Sequence, residues 1–353
     1  MKRAIDVGTA KSRPALAEGV NGRRVNVLLA TLDDRGCLEA LPFMPEMLPY
    51  CGKRFRVFKS AHKSCDTIET YTGRRLEDTV HLEGLRCSGG AHGGCQADCL
   101  LFWKYAWLKR VSGPEKPAPD PAVVRRAEAG RPARCTIERL QEATRAPGVG
   151  TEEAHAERYS CQATELVRAS KPLAWWDLRS YIKDLASGNV SPWKMAAYML
   201  LAGINMVARL HWRGRPAVYP YVRGLAGDKT PAETLDLKPG ELVEVRSRKE
   251  IMLTLNPSQR NRGLFFDVEM VPYCGKTFRV QRRVERIINE KTGIMMKMRG
   301  ACLILNGTTC SGCYSRNRLF CPRSIHPYWH EIWLRRAPAA DAPHSSQAPA
   351  NTQ

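Results

Sequence analysis

The chain has 353 residues, 43% hydrophobic and 25% charged, which excludes collagen, a coiled-coil rod and wholesale disorder and leaves room for two compact domains and a linker. Lys and Arg number 55 against 35 Asp and Glu, a formal charge of +20. That balance calls for an anionic partner (nucleic acid, an acidic membrane face or an acidic protein) without choosing among them. The opening MKRAIDVGTAKSRPALAEG lacks the apolar core of a signal peptide, and no stretch is long enough to cross a bilayer. Thirteen cysteines in such a chain are expected as thiols or metal ligands in a cytoplasmic setting, not as disulfides.

In chain order, 1–21 reads as an N-terminal segment and 22–111 as a first β-rich, Cys-containing repeat. The repeat opens on Asn21-Gly-Arg-Arg-Val-Asn-Val27, a degenerate strand with no capped helix behind it, so its closure is expected to be incomplete or different. Tyr71-Thr72-Gly73 marks a hairpin turn. Residues 112–159 hold Pro114, Pro117, Pro119, Pro121, Pro132 and Pro147 and read as a flexible linker, with Cys135 an incidental thiol. Residues 160–213 turn helical. Asp177 caps a helix carrying Leu178, Tyr181, Ile182 and Leu185 at i, i+3, i+4 and i+7, and Ser191 with Pro192 starts a second helix over 192–209. The two form an antiparallel hairpin. Its apolar run Met195–Ala208 is expected to be buried, the alternative being an interfacial helix flanked by Lys194, Arg209 and Arg213; peripheral membrane contact is not expected. Trp175 and Trp176 are expected to pack rather than to stack bases. Residues 214–238 connect to a second β-rich repeat over 239–336, and 337–353 form a tail expected to be disordered.

The two repeats are copies. LPFMPEMLPYCGKRFRV at 41–57 and LFFDVEMVPYCGKTFRV at 264–280 share twelve of seventeen positions. His81-Leu82-Glu83-Gly84 lies opposite Ile304-Leu305-Asn306-Gly307, Cys87-Ser88-Gly89 opposite Cys310-Ser311-Gly312, Phe102-Trp103 opposite Tyr328-Trp329, and Trp107-Leu108-Lys109-Arg110 opposite Trp333-Leu334-Arg335-Arg336. In the second copy Pro239-Gly240 opens a strand over 241–246. Ser247 and Glu250 form a capping box, Asn289–Gly293 makes a hairpin turn, and Asn306-Gly307 closes another strand. The fold class is α+β: two small SH3-like β-barrel repeats, each with a Cys cluster, joined by a flexible linker and a helical hairpin. The stretch Pro239-Gly240-Glu-Leu-Val-Glu-Val-Arg246 resembles the first strand of KOW-type SH3-like barrels. The chain as a whole resembles a group of bacterial proteins with two copies of the PYCG…CSG pattern, a likeness that implies the repeat and no activity.

Three cysteines recur in register: Cys51 with Cys274, Cys87 with Cys310, Cys95 with Cys321. Thiolates on separate loops can grip one ion and so stabilise a module with a small core. The expected ligands are Cys51, Cys87, Cys95 and Cys99 in the first copy and Cys274, Cys310, Cys313 and Cys321 in the second, with His92, His326 or His330 as possible substitutes. Structural zinc, up to two ions, is expected ahead of iron–sulfur, because no run matches a cluster-binding signature. His62-Lys-Ser-Cys65 could replace a ligand, bind a second ion or hold an activated thiol; an ordinary surface loop fits equally well.

Basic residues interleaved with aromatics, Lys53, Arg54, Arg56, Arg279, Arg282, Arg283, Arg316 and Arg318, are the candidate nucleic-acid contacts; Arg56 and Arg279 also fit as the outward side of a strand. The leading expectation is a non-catalytic binding protein for nucleic acid or another polyanion. The alternatives are an enzyme or metallo-accessory protein of a biosynthetic pathway, with His62, Cys65, Asp66 and Glu83 as its only cluster, and a protein–protein scaffold. The sequence lacks a P-loop, a dinucleotide fingerprint, a nucleophile elbow and an HExxH helix.

Overall fold

The structure, a computed structural model, describes residues 19–68, 70–111, 135–146, 157–211 and 220–337. It is mixed α and β with a curled half-barrel sheet. It divides into two compact units: Met1–Tyr219 with Arg286–Lys297 and Thr309–His326, and Pro220–Glu285 with Met298–Thr308 and Pro327–Gln353. The second repeat is therefore not self-contained over 239–336. Its hairpin tip and its CSG segment belong to the first unit because their apolar side chains are buried there: Ile288 packs with Cys95 and Tyr159, and Leu319 and Phe320 with Tyr181, Val190 and Met195.

In the first unit five strands, β1 (Gly19–Gly22), β2 (Arg54–Ser60), β3 (Thr79–Arg86), β4 (Leu100–Lys104) and β5 (Leu108–Arg110), form one antiparallel sheet in the order β4-β3-β2-β1-β5. The opening strand starts at Gly19, ahead of the boundary expected at 22, and Val25–Leu29 behind it forms a short helix whose N-cap, Arg24, makes no side-chain cap. The opening strand is tied to the turn before β2, Gly22 N–H donating to Lys53 O and Gly52 N–H to Gly22 O, both at 3.0 Å. Gly52 holds φ at +77°, a conformation that favours glycine.

The second unit has β6 (Leu242–Val245), β7 (Thr277–Ile288), β8 (Met295–Leu305), β9 (Trp329–His330) and β10 (Leu334–Arg336), in the equivalent order β9-β8-β7-β6-β10. Its short helix Arg248–Thr254 carries the capping box read from Ser247 and Glu250. Gly275, at φ +73°, repeats the role of Gly52 and donates to Val245 O at 2.8 Å.

Part of the expected linker is structured. Thr136 caps a helix over Ile137–Ala143, and Cys135 and Leu140 are buried in the core of the first unit; 112–134 and 147–156 lie outside the described residues, as does the tail beyond 337. The helical pair spans Leu178–Ala186 and Pro192–His211. Its apolar stripe faces outward, against expectation. Leu178, Ile182, Trp193, Leu200 and Val207 are exposed, as are Trp175 and Trp176, while Ser180, Tyr181 and Asp184 are buried. The inward turn of Asp184 has a cause: it meets the ammonium of Lys63, itself buried on the strand Lys63–Cys65. Among the described residues no helix is long and apolar enough to cross a membrane.

Candidate metal centre

Cys87 directly follows β3 and Cys99 directly precedes β4, so two paired strands anchor both ends of the loop between them. Cys87 N–H donates to Cys99 O at 2.8 Å, and Gly94 N–H to Gly89 O at 2.9 Å. A Cβ on Gly89 would stand 2.0 Å from Cys95 O, and one on Gly312 would stand 2.6 Å from Cys321 N. The glycine of each CSG segment is thus required by the backbone of the matched later cysteine folding over it.

Inside the first loop, Cys87 Sγ lies 3.5 Å from His92 Nε2, and His92 Nδ1 lies 3.0 Å from Glu46 Oε1. Glu46 comes from the 3-10 helix Pro45–Tyr50 and also accepts Ala91 N–H at 3.0 Å. Its other oxygen, Oε2, has no partner among the described residues. Burial raises the Glu46 carboxyl, but the hydrogen bond and charge of His92 and the Ala91 N–H outweigh that and hold it below its ordinary value. Glu46, Cys87 and His92 can hold a metal ion, their ligand atoms all lying within 4.8 Å of one another. The same line of Sγ, imidazole and carboxylate could in principle activate a nucleophile. Burial, with the Glu46 charge added, pushes the Cys87 thiol up instead of down, which opposes that use.

Cys87 and His92 line a cavity of about 40 Å³ together with Cys95, Cys99 and Cys161. Burial pushes Cys99 up to about 12 and Cys161 up to about 11, so without a metal these are inert thiols. Cys51 does not line the cavity. Like Cys274, it ends a 3-10 helix, its N–H donating to Leu48 O as that of Cys274 does to Val271 O. Sequence reasoning missed Glu46 and Cys161: Glu46 sits inside the repeated motif with a counterpart in Glu269, and Cys161 lies in a segment with no counterpart and no local signature.

The expected second set is divided, Cys274 in the second unit and Cys310, Cys313 and Cys321 in the first. Cys313 packs against Tyr181 and Phe320. Cys321 makes a thiol–thiol hydrogen bond with buried Cys65, which lowers the first ionisation of the pair on the Cys65 side, helped by the Arg323 charge. His62 turns away from Cys65 toward Ser60 Oγ at 3.1 Å and Ser180 O at 3.2 Å. Asp66 is used by its own turn, accepting Ile68 and Thr70 N–H, and Glu83 is exposed, so His62, Cys65, Asp66 and Glu83 form no site. His326 lies 3.2 Å from Asp98, and His330 belongs to the second unit.

The basic candidates separate as sharply. Lys53, Arg54 and Arg56 are exposed on or beside β2. Arg54 and Lys109 flank Asn21 across the sheet, and Arg56 follows on the same face. None of Lys53, Arg54, Arg56 and Lys109 has an acidic partner among the described residues. In the second unit Arg283 is paired with buried Glu331 at 2.8 Å, and Arg279 donates to Gly240 O at 3.0 Å. Arg282 is half-buried on β7; Arg316 and Arg318 bound a single 3-10 turn. Compared with protein-family models, curated proteins and solved structures, the chain finds no match.

Proposed function

We propose that the protein is a non-catalytic polyanion-binding protein, with nucleic acid as the class its surface fits, built from two SH3-like modules and stabilised by a metal centre in the first unit. The strand order supports the SH3-like reading: in each sheet the first strand pairs with both the second and the last, and a single 3-10 turn leads into the last. The trio Glu46, Cys87 and His92 supports the metal. Thiolate and imidazole donors suit zinc, the ion expected from the sequence, and the width of the surrounding thiol set bears on that choice.

One observation carries the binding function. The outer face of the first sheet presents Lys109, Arg54 and Arg56 in adjacent positions without counter-ions, and exposed Phe58 lies further along the same strand. On the equivalent face of the second sheet Thr277 stands in the place of Arg54, Glu244 holds Arg335 at 2.7 Å, and Arg279 donates to Gly240 O. Unpaired cations beside an aromatic ring can neutralise phosphates and stack a base. The test is fluorescence anisotropy with labelled single-stranded and duplex oligonucleotides over a salt series. Binding should weaken linearly on a log–log plot, and replacing Arg54, Arg56 and Lys109 together by Ala should reduce the duplex slope by about 2–3. Absence of binding, or a slope unmoved by the triple variant, would overturn the reading.

A further inference from the structure

We propose that the thiol-lined cavity of the first unit holds an iron–sulfur cluster, ligated by Cys87, Cys95, Cys99 and Cys161. The inference rests on the metal-centre reading above and changes both the group bound and the ligands. Four cysteines from two separate segments converge on one cavity, whose remaining wall is largely apolar, with Met44, Leu100 and Phe102 among its side chains. The sulfurs stand too far apart for one ion. Four thiolates around zinc at about 2.3 Å lie roughly 3.8 Å from one another. Among the described residues the only set of three donors mutually within 4.8 Å is Glu46, Cys87 and His92, so no three of these sulfurs meet even that looser spacing. A polynuclear cluster places iron and sulfide between its cysteines and needs that wider cage, together with an interior void to fill.

One of the sulfurs is also set up as an acceptor. Ile288 N–H donates to Cys95 Sγ at 3.4 Å. A thiol is a poor acceptor; a metal-bound thiolate is a good one, and hydrogen bonds to sulfur are a main way a protein stabilises a cluster. Charge fits as well. A cluster with four thiolates is anionic. Asp98 and Glu290 also line the cavity, but Glu290 is paired with Arg323 and Asp98 lies 3.2 Å from His326, and Arg323, only 2% exposed, keeps an Nε without a partner among the described residues. In this arrangement Glu46 and His92 act behind the ligands, the imidazole facing Cys87 and the carboxylate holding the imidazole.

The full chain, purified without oxygen and reconstituted with ferric iron, sulfide and dithiothreitol, whose thiols reduce half of the iron, should hold about four iron and four acid-labile sulfide per chain and show a broad visible absorption that bleaches on reduction with dithionite. Cys161→Ser should lose at least half of that iron. Cys51→Ser, outside the cavity, should keep it; circular dichroism establishes that both variants fold. One zinc per chain with no labile sulfide, in protein grown with both metals, would overturn the cluster and leave the metal centre standing. No metal under either condition would overturn both. Should Cys161→Ser fail to fold, the iron and sulfide count of the native chain still decides.

Discussion

The two sheets hold the same five aromatic rings in different polar surroundings. Phe43 meets Trp103 and Trp107 edge-on at 6.1 and 5.2 Å; Phe266 meets Trp329 and Trp333 at 6.1 and 5.1 Å. Tyr50 and Phe55 are 5.7 Å apart, Tyr273 and Phe278 5.6 Å. In the second unit the indoles are satisfied, Trp329 donating to Thr308 Oγ1 at 3.3 Å and Trp333 to Thr254 Oγ1 at 3.0 Å. In the first, Trp103 and Trp107 Nε1 have no partner among the described residues, and Leu85 stands in the position of Thr308. Packing shape survives in both copies while polar groups diverge, because ring-on-ring geometry fixes the module whereas the edges of the rings and the outer face are open to other uses. The first unit leaves Arg54, Arg56 and Lys109 unpaired on its face and surrounds a thiol cavity; the second replaces the first of these by Thr277 and pairs Arg335 with Glu244.

The largest break in this comparison should come from the aromatic cluster itself. Phe43→Ala and Phe266→Ala each remove a fully buried ring and should each cost about 3–5 kcal/mol in urea unfolding. Similar costs are expected in both; a loss below about 1 kcal/mol in either would show that its module is held by something else. Acid comes next and should act on the first unit. His81 is fully buried, and burial drives its pKa down to about 3, partly offset by the bond between its Nδ1 and Leu101 O. The native imidazole stays neutral while the unfolded one protonates below about 6.5, so the unfolded state binds the extra proton and stability falls as the pH drops through 6.5 toward 3. About 2 kcal/mol should go between pH 6.5 and 5. Ile304 occupies the matching position in the second sheet, so His81→Leu should flatten this part of the profile. An unchanged slope would mean that other groups set it. A smaller effect is expected from Thr308→Val, which strands the Trp329 N–H: on the order of 1 kcal/mol, read by urea unfolding. A neutral result would mean that the unpartnered indoles of the first unit are tolerated at no cost.

Much of this was legible in the residues. The PYCGK turn, the Ser247 capping box and the Asn289–Gly293 hairpin rest on local rules of backbone and capping, and the chain keeps them. What failed was everything that depends on which distant surfaces meet. The stripe Leu178, Ile182 and Leu185 has helical periodicity whether it faces in or out, and only the partner of Lys63 decides that Asp184 goes inside. Cysteines matched between copies suggested one site per copy. Yet Cys51 and Cys274 end helical turns, and Cys161, which no spacing rule selects, lines the cavity. Two matched segments keep the same packing, but the thiols around the cavity include Cys161, from a segment that is not duplicated.

The finest contrast lies in one residue. Asn21 in β1 sits between Arg54 and Lys109, and its Oδ1 takes no hydrogen bond from either. Glu244 in β6 sits between Thr277 and Arg335 and binds the arginine. Asn21→Glu should therefore place an acid between the two cations of the first sheet and make it resemble the second. Polyanion binding should weaken, with the slope of log affinity against log salt falling by about 1 as phosphate contacts are lost. Glu244→Asn should do the reverse for Arg335. If the basic face of the first unit is where the polyanion sits, the first substitution moves the slope, and the second moves it less or adds weak new binding. A larger change from Glu244→Asn would transfer the binding face to the second sheet, and no change from either would separate the charge asymmetry from binding altogether.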